Sequence, residues 1–413
     1  MSFTTPKRLA FTISLLTLLT FSRVDSQDFS GKVIDTETNL AISFVHVFEP
    51  KTNKGTITNE QGEFLLKIEN AKDTIVFSHL NYEASKQITF ESGIVIKLRP
   101  RTIILAEIEV TDYARVVAVN AFKMAVQNAS LKNYGKAFYR QITRNDEVPT
   151  EIHEIFYTLE TANSGVTRHA IDEARFALKK RNEEDGVFFH FANFSSILLG
   201  SSVISTMLPK QKKILIPFMP MADSIFNFSL KEKFAVGNKK YMVIHFEPND
   251  DIKALALIGE VVLNEESLSI LRFDASLKNS LGADRIQSKS GKSFNAHDHI
   301  YHFVFDFTET PKGPKLNYIE AGVNFMLRTE DQKELKVDVK SFLFVYEQYL
   351  KKPKRLTEMN LDKNDLEQIR SKKYNPKFWK DNPIVKRTPL EDGITKYFEE
   401  SGSFGTIFQD KKQ

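Results

Sequence analysis

The chain has 413 residues, 41% of them hydrophobic, a net charge of +4 at pH 7 and no cysteine. The nearly balanced charge argues against a nucleic-acid partner, which would call for a strongly basic surface. A chain without cysteine forms no disulfides, so packed cores must stabilise it. Its length predicts two domains, because single hydrophobic cores stop growing at about 250–300 residues.

Residues 1–26 have the pattern of a signal peptide. Lys7 and Arg8 precede an apolar run over residues 9–21, and small residues before Gln27 offer a cleavage site. The apolar run is shorter than the ~20 residues that a membrane-spanning helix needs. We therefore expect secretion across an inner membrane, with no transmembrane segment left after cleavage.

Residues 27–110 contain seven short runs of β-branched and aromatic residues separated by turn signals. This pattern predicts a seven-stranded β-sandwich. Two of the runs meet in "GTITNEQGEFLLKI" (residues 55–68), where Gly62 ends the polar connector. Because glycine adopts positive φ without steric cost, we predict positive φ at Gly62.

Four motifs give residues 29–110 a family resemblance. They occur in the order "GKVIDTETNLAISFVHVF", "GTITNEQGEFLLKI", "IVFSHLNYE" and "LAEIEV". The segment resembles the carboxypeptidase-regulatory-like (transthyretin-like) domain of Bacteroidetes surface proteins, although Asn81 stands where that family usually has glycine. The resemblance implies a transthyretin-like sandwich without catalytic function, in a protein of the periplasm or outer membrane.

The rest of the chain is predicted to be a helix, a β-rich domain and an extension. Residues 111–130 have the helical spacing of a connecting helix. Long strand-like runs over residues 131–350 predict a large antiparallel sheet, curved like a half-barrel. Residues 351–413 are a C-terminal extension with a short helix near 362–372. The predicted fold class is therefore mainly β, with a few helices.

Two stretches of the β-rich domain carry a further resemblance. "GEVVLNEESLSILRF" (residues 259–273), together with "FYRQ" (residues 138–141), resembles uncharacterised periplasmic proteins that follow this sandwich in Bacteroidetes. It is also similar to half-barrels of the lipoprotein-carrier type. The second resemblance implies an apolar concavity lined by the sheet.

A phenylalanine-rich insertion at residues 187–228 interrupts the strand pattern. A segment this apolar must be buried or must form an interface or ligand groove. It is interpreted as a lid that completes the domain core, and the alternatives are a groove for a lipid-like ligand and a partner interface.

Metal-ligand spacing is present only as a weak signal. His297 and His299 in "HDHIYH" would share one face of a regular strand and could present two imidazoles, while a polar hairpin turn is the simpler interpretation. His46 and Glu49 match His-x-x-Glu, but on a strand they point to opposite faces. The sequence has no Gly-x-Ser-x-Gly or His-Glu-x-x-His motif. We therefore predict no catalytic residue, no metal and no cofactor.

These observations favour an exported, non-catalytic accessory or interaction protein of the periplasm or outer membrane. Its expected partners are proteins or cell-envelope components. A carrier of a lipid-like ligand is the alternative, and a metal-dependent hydrolase is the third hypothesis.

Overall fold

The computed structural model of the chain describes residues 27–69, 72–88, 92–104, 111–162, 165–179, 214–278, 284–287, 293–328, 333–349, 351–358, 365–369, 372–382, 384–401 and 403–404. The predicted signal peptide and residues 187–213 of the predicted insertion lie outside this part of the chain. Within it, no helix has both the length and the apolar character needed to cross a membrane.

Strands dominate the described residues, which confirms the predicted mainly β fold class. The strands of the N-terminal sandwich correspond one by one to the seven predicted runs. They are β1 (Gln27–Asp35), β2 (His46–Glu49), β3 (Lys54–Ile57), β4 (Glu63–Ile68), β5 (Thr74–His79), β6 (Tyr82–Ile88) and β7 (Ile94–Leu98).

The remaining strands build the second domain. They are β8 (Thr102–Ile104), β9 (Asn133–Asn145), β10 (Val148–Ala162), β11 (Gly165–Leu178), β12 (Phe226–Val236), β13 (Lys239–Pro248), β14 (Ile258–Asn264), β15 (Ile270–Lys278), β16 (Asp284–Gln287), β17 (Ser293–Thr310), β18 (Gly313–Arg328), β19 (Glu334–Tyr349) and β20 (Thr357–Glu358). The helices are α1 (Thr111–Gln127), α2 (Ala222–Ile225), α3 (Asp365–Ile369), α4 (Pro376–Asp381) and α5 (Pro389–Glu400).

The sandwich packs two sheets over an apolar core. One sheet has the order β4–β1–β7, and the other has the order β3–β2–β5–β6. Alternate residues of the strands point between the sheets, as the sequence predicts. The buried core includes Phe29, Val33, Phe64, Phe77 and Ile96.

The connector between β3 and β4 is a tight turn held by Asn59. The Asn59 Oδ1 atom accepts backbone N–H groups from Gln61 at 3.0 Å and Glu63 at 2.9 Å. Gly62 has φ +72, which confirms the prediction, and a Cβ atom there would lie 2.5 Å from the Val33 carbonyl oxygen. Only glycine fits this position without displacing the backbone.

The second domain is one long antiparallel sheet with the order β11–β10–β9–β19–β18–β17–β15–β14–β13–β12. A twisted sheet of this size curls, which gives the half-barrel-like form. Strand β3 of the sandwich joins its middle, where Lys54 pairs with Glu347 of β19. We call the face that carries Ile244, Phe273 and Val323 the inner face, and the opposite side the outer face.

Helix α1 packs on the inner face of the half-barrel-like sheet. Ala114, Ala118 and Ala121 are buried and allow close approach, while the Phe122 ring lies 4.7 Å from the Phe218 ring centroid. The described end of the phenylalanine-rich insertion enters the same core. Its buried members include Ile214, Ile216, Phe218, Ala222, Phe226 and Phe228.

The C-terminal extension covers the outer face of β9, β10 and β11. The α3 helix lies within the predicted helix near residues 362–372, but the sequence analysis missed α4 and α5. Trp379 of α4 and Ile394 and Phe398 of α5 are buried against the sheet. The extension is therefore part of the fold rather than a loose tail.

Candidate functional site

The sandwich docks on the outer face of the large sheet through aromatic side chains. The Phe44 ring stacks on Tyr318 of β18 at 5.6 Å between centroids, and His46 meets the Phe344 ring edge-on at 5.6 Å. Phe44 has φ 57, a conformation that bulky residues rarely adopt. The Tyr318 stack and the hydrogen bond from Phe44 N to Thr58 O, 3.1 Å long, hold it there.

The segment between α4 and α5 fastens the extension to the sandwich. The Thr56 hydroxyl donates to the Ile384 carbonyl oxygen at 2.5 Å, and the Asn59 side-chain amide donates to the Arg387 carbonyl oxygen at 3.4 Å. The polar connector of the sandwich therefore has two roles. It closes its own turn and contacts a segment more than 300 residues away.

A buried ion cluster fastens α5 to the large sheet. Glu154 of β10 lies between two arginines, with Arg140 Nε at 2.7 Å and Arg175 Nε at 2.6 Å from its oxygens. Each arginine also contacts a carboxylate of α5: Arg140 reaches Glu391 at 3.1 Å and Arg175 reaches Glu399 at 3.3 Å. The three charges on the sheet are almost fully buried, so each needs these partners.

The ion cluster fixes the charge state of its central carboxylate. Burial alone would raise the pKa of Glu154, but the charges of Arg175 and Arg140 outweigh burial and lower that pKa to about 2. Burial would likewise lower the pKa of Arg140, and Glu391 and Glu154 raise it instead. Glu154 therefore stays ionised at neutral pH.

These three parts of the chain enclose a cleft with a cavity of about 280 Å³. The outer face of the large sheet is its floor, the sandwich is its roof, and the segment leading into α5 is one wall. The lining residues are Phe44, Ile57, Thr58, Asn59, Glu60, Arg140, Ile142, Arg144, Glu147, Glu320, Asp338, Lys340, Ser341, Phe342, Val385, Thr388 and Glu391.

A row of alternating charges crosses four adjacent strands and ends in this cleft. We call Asp274 of β15, His302 of β17, Glu320 of β18 and Lys340 of β19 the charged row. Successive members are diagonal neighbours in the antiparallel registers, so their side chains share the outer face. The Asp274 carboxylate and His302 Nε2 are 2.8 Å apart.

Neighbouring groups shift the proton affinities along the charged row. The hydrogen bond with Asp274 raises the pKa of His302, while burial raises the pKa of Glu320. In the next row of the outer face, burial raises the pKa of Asp306 to about 6. Arg272 lies between the rows and donates to the Tyr318 hydroxyl at 2.7 Å.

Glu320 and Lys340 differ from the other charges of the cleft floor. Arg144 pairs with Asp338 at 3.6 Å and Arg140 pairs with Glu391. Among the described residues, neither the Glu320 carboxylate nor the Lys340 ammonium group has a hydrogen-bond or ion-pair partner. A negative and a positive charge therefore face the cleft without a hydrogen bond or close ion pair, although the charges of His302, Arg272 and Lys340 act on Glu320 from a longer distance.

The predicted histidine pair does not come together. Asp298 has φ 55 and sits at a β-bulge, so the alternation of β17 shifts by one residue between His297 and His299. His297 contacts Glu334 at 3.2 Å on the protein surface, whereas His299 is buried on the inner face and stacks on Phe325 at 5.2 Å. In the described ranges, no group of three or more potential ligands is arranged to hold a metal ion.

A second polar cluster lies on the inner face, at the end of β9 and β10. His153 Nε2 is 2.9 Å from a Glu151 oxygen, the Thr143 hydroxyl donates to the other Glu151 oxygen at 2.6 Å, and the Tyr139 hydroxyl donates to Gln141 at 2.7 Å. All five side chains are buried. The cluster satisfies polar groups inside the domain and does not line the cleft.

Comparison with family models identifies the sandwich. Residues 29–110 match the model described as CarboxypepD_reg-like domain. The N-terminal sandwich is a carboxypeptidase-regulatory-like domain. The match covers the connector residues Thr58, Asn59 and Glu60 that line the cleft. A search of curated proteins found no match to the chain.

Solved structures resemble the chain weakly. A DUF1329 family protein from Desulfovibrio piger has a TM-score of 0.22 and 8% identity, with 57% of this chain and 92% of that chain covered. A LolA superfamily protein from Nitrosomonas europaea has a TM-score of 0.21 and 9% identity, with 59% and 96% covered. At these TM-scores and identities, neither likeness supports a conclusion about function.

Sequence reasoning missed the charged row, although a signal for it exists. Asp274, His302, Glu320 and Lys340 are charged or titratable residues at outward positions of strands that are otherwise apolar. Such positions are candidates for an interface or a site, because an exposed sheet face needs no specific charge pattern. Their alignment into one row depends on strand registers that the sequence does not show.

Proposed function

We propose that the protein is an exported, non-catalytic accessory protein of the periplasm or outer membrane that binds a small cell-envelope ligand in the cleft. The observation that carries this proposal is the construction of the cleft. The sandwich, the large sheet and the C-terminal extension each contribute one side, and two charges of opposite sign on its floor, Glu320 and Lys340, have no hydrogen bond or close ion pair among the described residues. Ligand sites occur preferentially at such domain junctions.

The conformation of the cleft supports a binding role. Phe44 keeps an unfavourable φ at the roof of the cavity, and backbone strain of this kind concentrates at ligand sites. The ion cluster under α5 fixes the opposite wall. A ligand therefore meets a preformed site and loses little free energy to ordering it.

A carrier of a lipid-like ligand is the second candidate, favoured by the contiguous apolar inner face. In the described structure α1 occupies that face, and Phe122 packs among four aromatic rings there. Lipid binding on the inner face would require α1 to leave it. The cleft needs no such rearrangement, so it is the preferred site.

Ligand-observed NMR against a panel of compound classes tests the proposal. The panel contains dipeptides, amino sugars and long-chain fatty acids, and the protein is wild type, Lys340→Trp or Lys312→Trp. The first substitution fills the cleft, whereas the second places the same ring on the exposed turn between β17 and β18, which does not line the cleft.

We expect at least one polar class to bind wild type and Lys312→Trp, but not Lys340→Trp. Binding of fatty acids alone, unaffected by either substitution, would favour the carrier. If no class binds, the cleft is not a site for small envelope ligands.

A further inference from the structure

We infer that the cleft takes a small zwitterionic ligand of about dipeptide size, whose ammonium group binds Glu320 and whose carboxylate binds Lys340. The inference rests on the proposed function, because it names the ligand of that same cleft. Its basis is a pair of opposite charges without a hydrogen bond or close ion pair, the spacing of their strand positions and the apolar walls of the cleft.

The other charged side chains of the cleft floor already have partners within the protein. Arg140 and Arg144 are paired with carboxylates, and His302 is bonded to Asp274. A partly buried charge without a partner raises the free energy of the unliganded protein. A ligand that carries both opposite charges removes this cost at both groups in one binding event.

Burial at Glu320 strengthens the case for an ammonium partner. Burial raises the pKa of this carboxyl group more than the charges of His302, Arg272 and Lys340 lower it, so its surroundings disfavour the anion. A cation bound beside it would reverse that effect, since an opposite charge within hydrogen-bond distance favours the ionised form. Lys340 is exposed at the end of the charged row, where its ammonium group can pair with an anionic group of a ligand.

The strand register sets the separation of the two positions from which the charged side chains project. Glu320 lies opposite Phe342 and Lys340 lies opposite Gly322, so Glu320 and Lys340 are diagonal neighbours across β18 and β19. Diagonal neighbours are about 7–8 Å apart. Two extended residues span about 7 Å, so the length of a dipeptide is similar to the separation of these two strand positions.

The cavity size and its apolar walls restrict the ligand further. A volume of about 280 Å³ lies just below the usual range for ligand pockets, roughly 300–1,000 Å³. Phe44 and Ile57 of the sandwich, Phe342 of the floor and Val385 of the wall present apolar surface. The cleft therefore fits a dipeptide with an apolar side chain.

Calorimetric titration with leucyl-alanine tests the inference. The comparison ligands are N-acetyl-leucyl-alanine, which lacks the ammonium group, and leucyl-alanine amide, which lacks the carboxylate. Each modification should weaken binding by about 10- to 100-fold, the usual loss for a hydrogen bond to a charged group. Equal affinity for all three compounds would overturn the inference.

Two substitutions assign each charge to its residue. Glu320→Gln should weaken leucyl-alanine binding and leave the already weak N-acetyl compound unchanged, and Lys340→Gln should do the same with respect to the amide. Glu37→Gln and Lys312→Gln are matched controls on exposed turns away from the cleft and should bind as wild type does. Thermal melts of all variants show that they are folded.

The outcomes separate the inference from the proposed function. If an amino sugar binds and Lys340→Trp blocks it, while leucyl-alanine does not bind, the cleft is a ligand site and the dipeptide assignment is wrong. If neither binds, both the assignment and the proposed function fail. Loss of leucyl-alanine binding in Glu320→Gln and Lys340→Gln, with folded proteins and normal controls, supports both.

Discussion

Arg140 and Glu391 are 251 residues apart in the chain and form an ion pair of 3.1 Å. Arg140 belongs to the floor of the cleft, and Glu391 belongs to the first turn of α5. The same carboxylate accepts the backbone N–H of Thr388 at 2.8 Å, as half of a capping box. One side chain thus starts a helix, neutralises a buried cation and positions a wall of the cleft.

The Glu391 contacts predict a measurable loss of stability. Glu391→Ala should lower the free energy of unfolding by roughly 2–3 kcal/mol, because it removes half of a capping box and a hydrogen bond to a buried charge. Urea denaturation monitored by Trp379 fluorescence measures this. Asp392→Ala removes only an exposed pair with Arg387 and should cost less than about 1 kcal/mol. Equal losses would contradict the role of Glu391.

The raised pKa of Asp306 predicts that its contribution to stability depends on pH with the opposite sign to that of most carboxylates. Its folded-state pKa of about 6 lies above the ordinary 3.8, so the folded protein holds the proton more tightly. The contribution of Asp306 to the free energy of unfolding is therefore largest below about pH 4, and this contribution falls as the pH rises to about 6. The loss is up to about 3 kcal/mol.

Asp306→Asn should abolish this slope, because asparagine still accepts the Asn317 amide but does not titrate. Urea midpoints at about pH 4 and about pH 7 provide the measurement. Asp298→Asn, at an exposed bulge, is the control. A wild-type slope that persists in Asp306→Asn would show that another group is responsible.

Substitutions at Gly62 and Gly237 separate two energetic costs of adding a Cβ atom, which are the unfavourable backbone conformation and the steric overlap with neighbouring atoms. Both have positive φ, but a Cβ at Gly62 would lie 2.5 Å from the Val33 carbonyl oxygen, while at Gly237 it would meet no atom within 4 Å. Gly237→Ala should cost about 1–2 kcal/mol from the backbone conformation alone. Gly62→Ala should cost roughly 1–3 kcal/mol more, as overpacking does. Similar denaturation midpoints for the two variants would disprove the close-packing argument.

Substitution of Phe122 tests whether α1 is a structural part of the half-barrel-like domain. Phe122→Ala should lower the free energy of unfolding by about 3–5 kcal/mol, because it opens a cavity among buried aromatic rings. Val116→Ala changes an exposed residue of the same helix and should cost less than about 0.5 kcal/mol. A displaceable lid would behave differently, since Phe122→Ala would then leave the melting temperature nearly unchanged.

The sandwich was predictable because its signals are local. Each strand alternates apolar and polar residues over a few positions, and Gly62 marks the turn between two of them. The β11 strand has a weaker local signal, because buried Arg175 and His169 interrupt its apolar pattern. Those side chains are buried through ion pairs and hydrogen bonds from the C-terminal extension, which the local pattern does not contain.

The candidate site was less predictable because it depends on long-range contacts. Thr388-x-x-Glu391 is a capping-box pattern that could have revealed α5, but its packing on Arg140 could not be read from the sequence. The bulge at Asp298 also separates His297 from His299, against the alternation expected of a regular strand. Sheet registers and bulges are set by the whole domain, so residue spacing alone does not fix which side chains meet.

Hydrogen–deuterium exchange in the presence of a panel ligand tests the central claim most directly, namely that the cleft is the binding site. We expect slower exchange in three segments distant in sequence: residues 55–60 of the sandwich, 336–344 of β19 and 385–391, which lead into the first turn of α5. Exchange in α1 and on β13 should not change. Protection confined to α1 and the strands of the inner face, with none in the three cleft segments, would contradict the account.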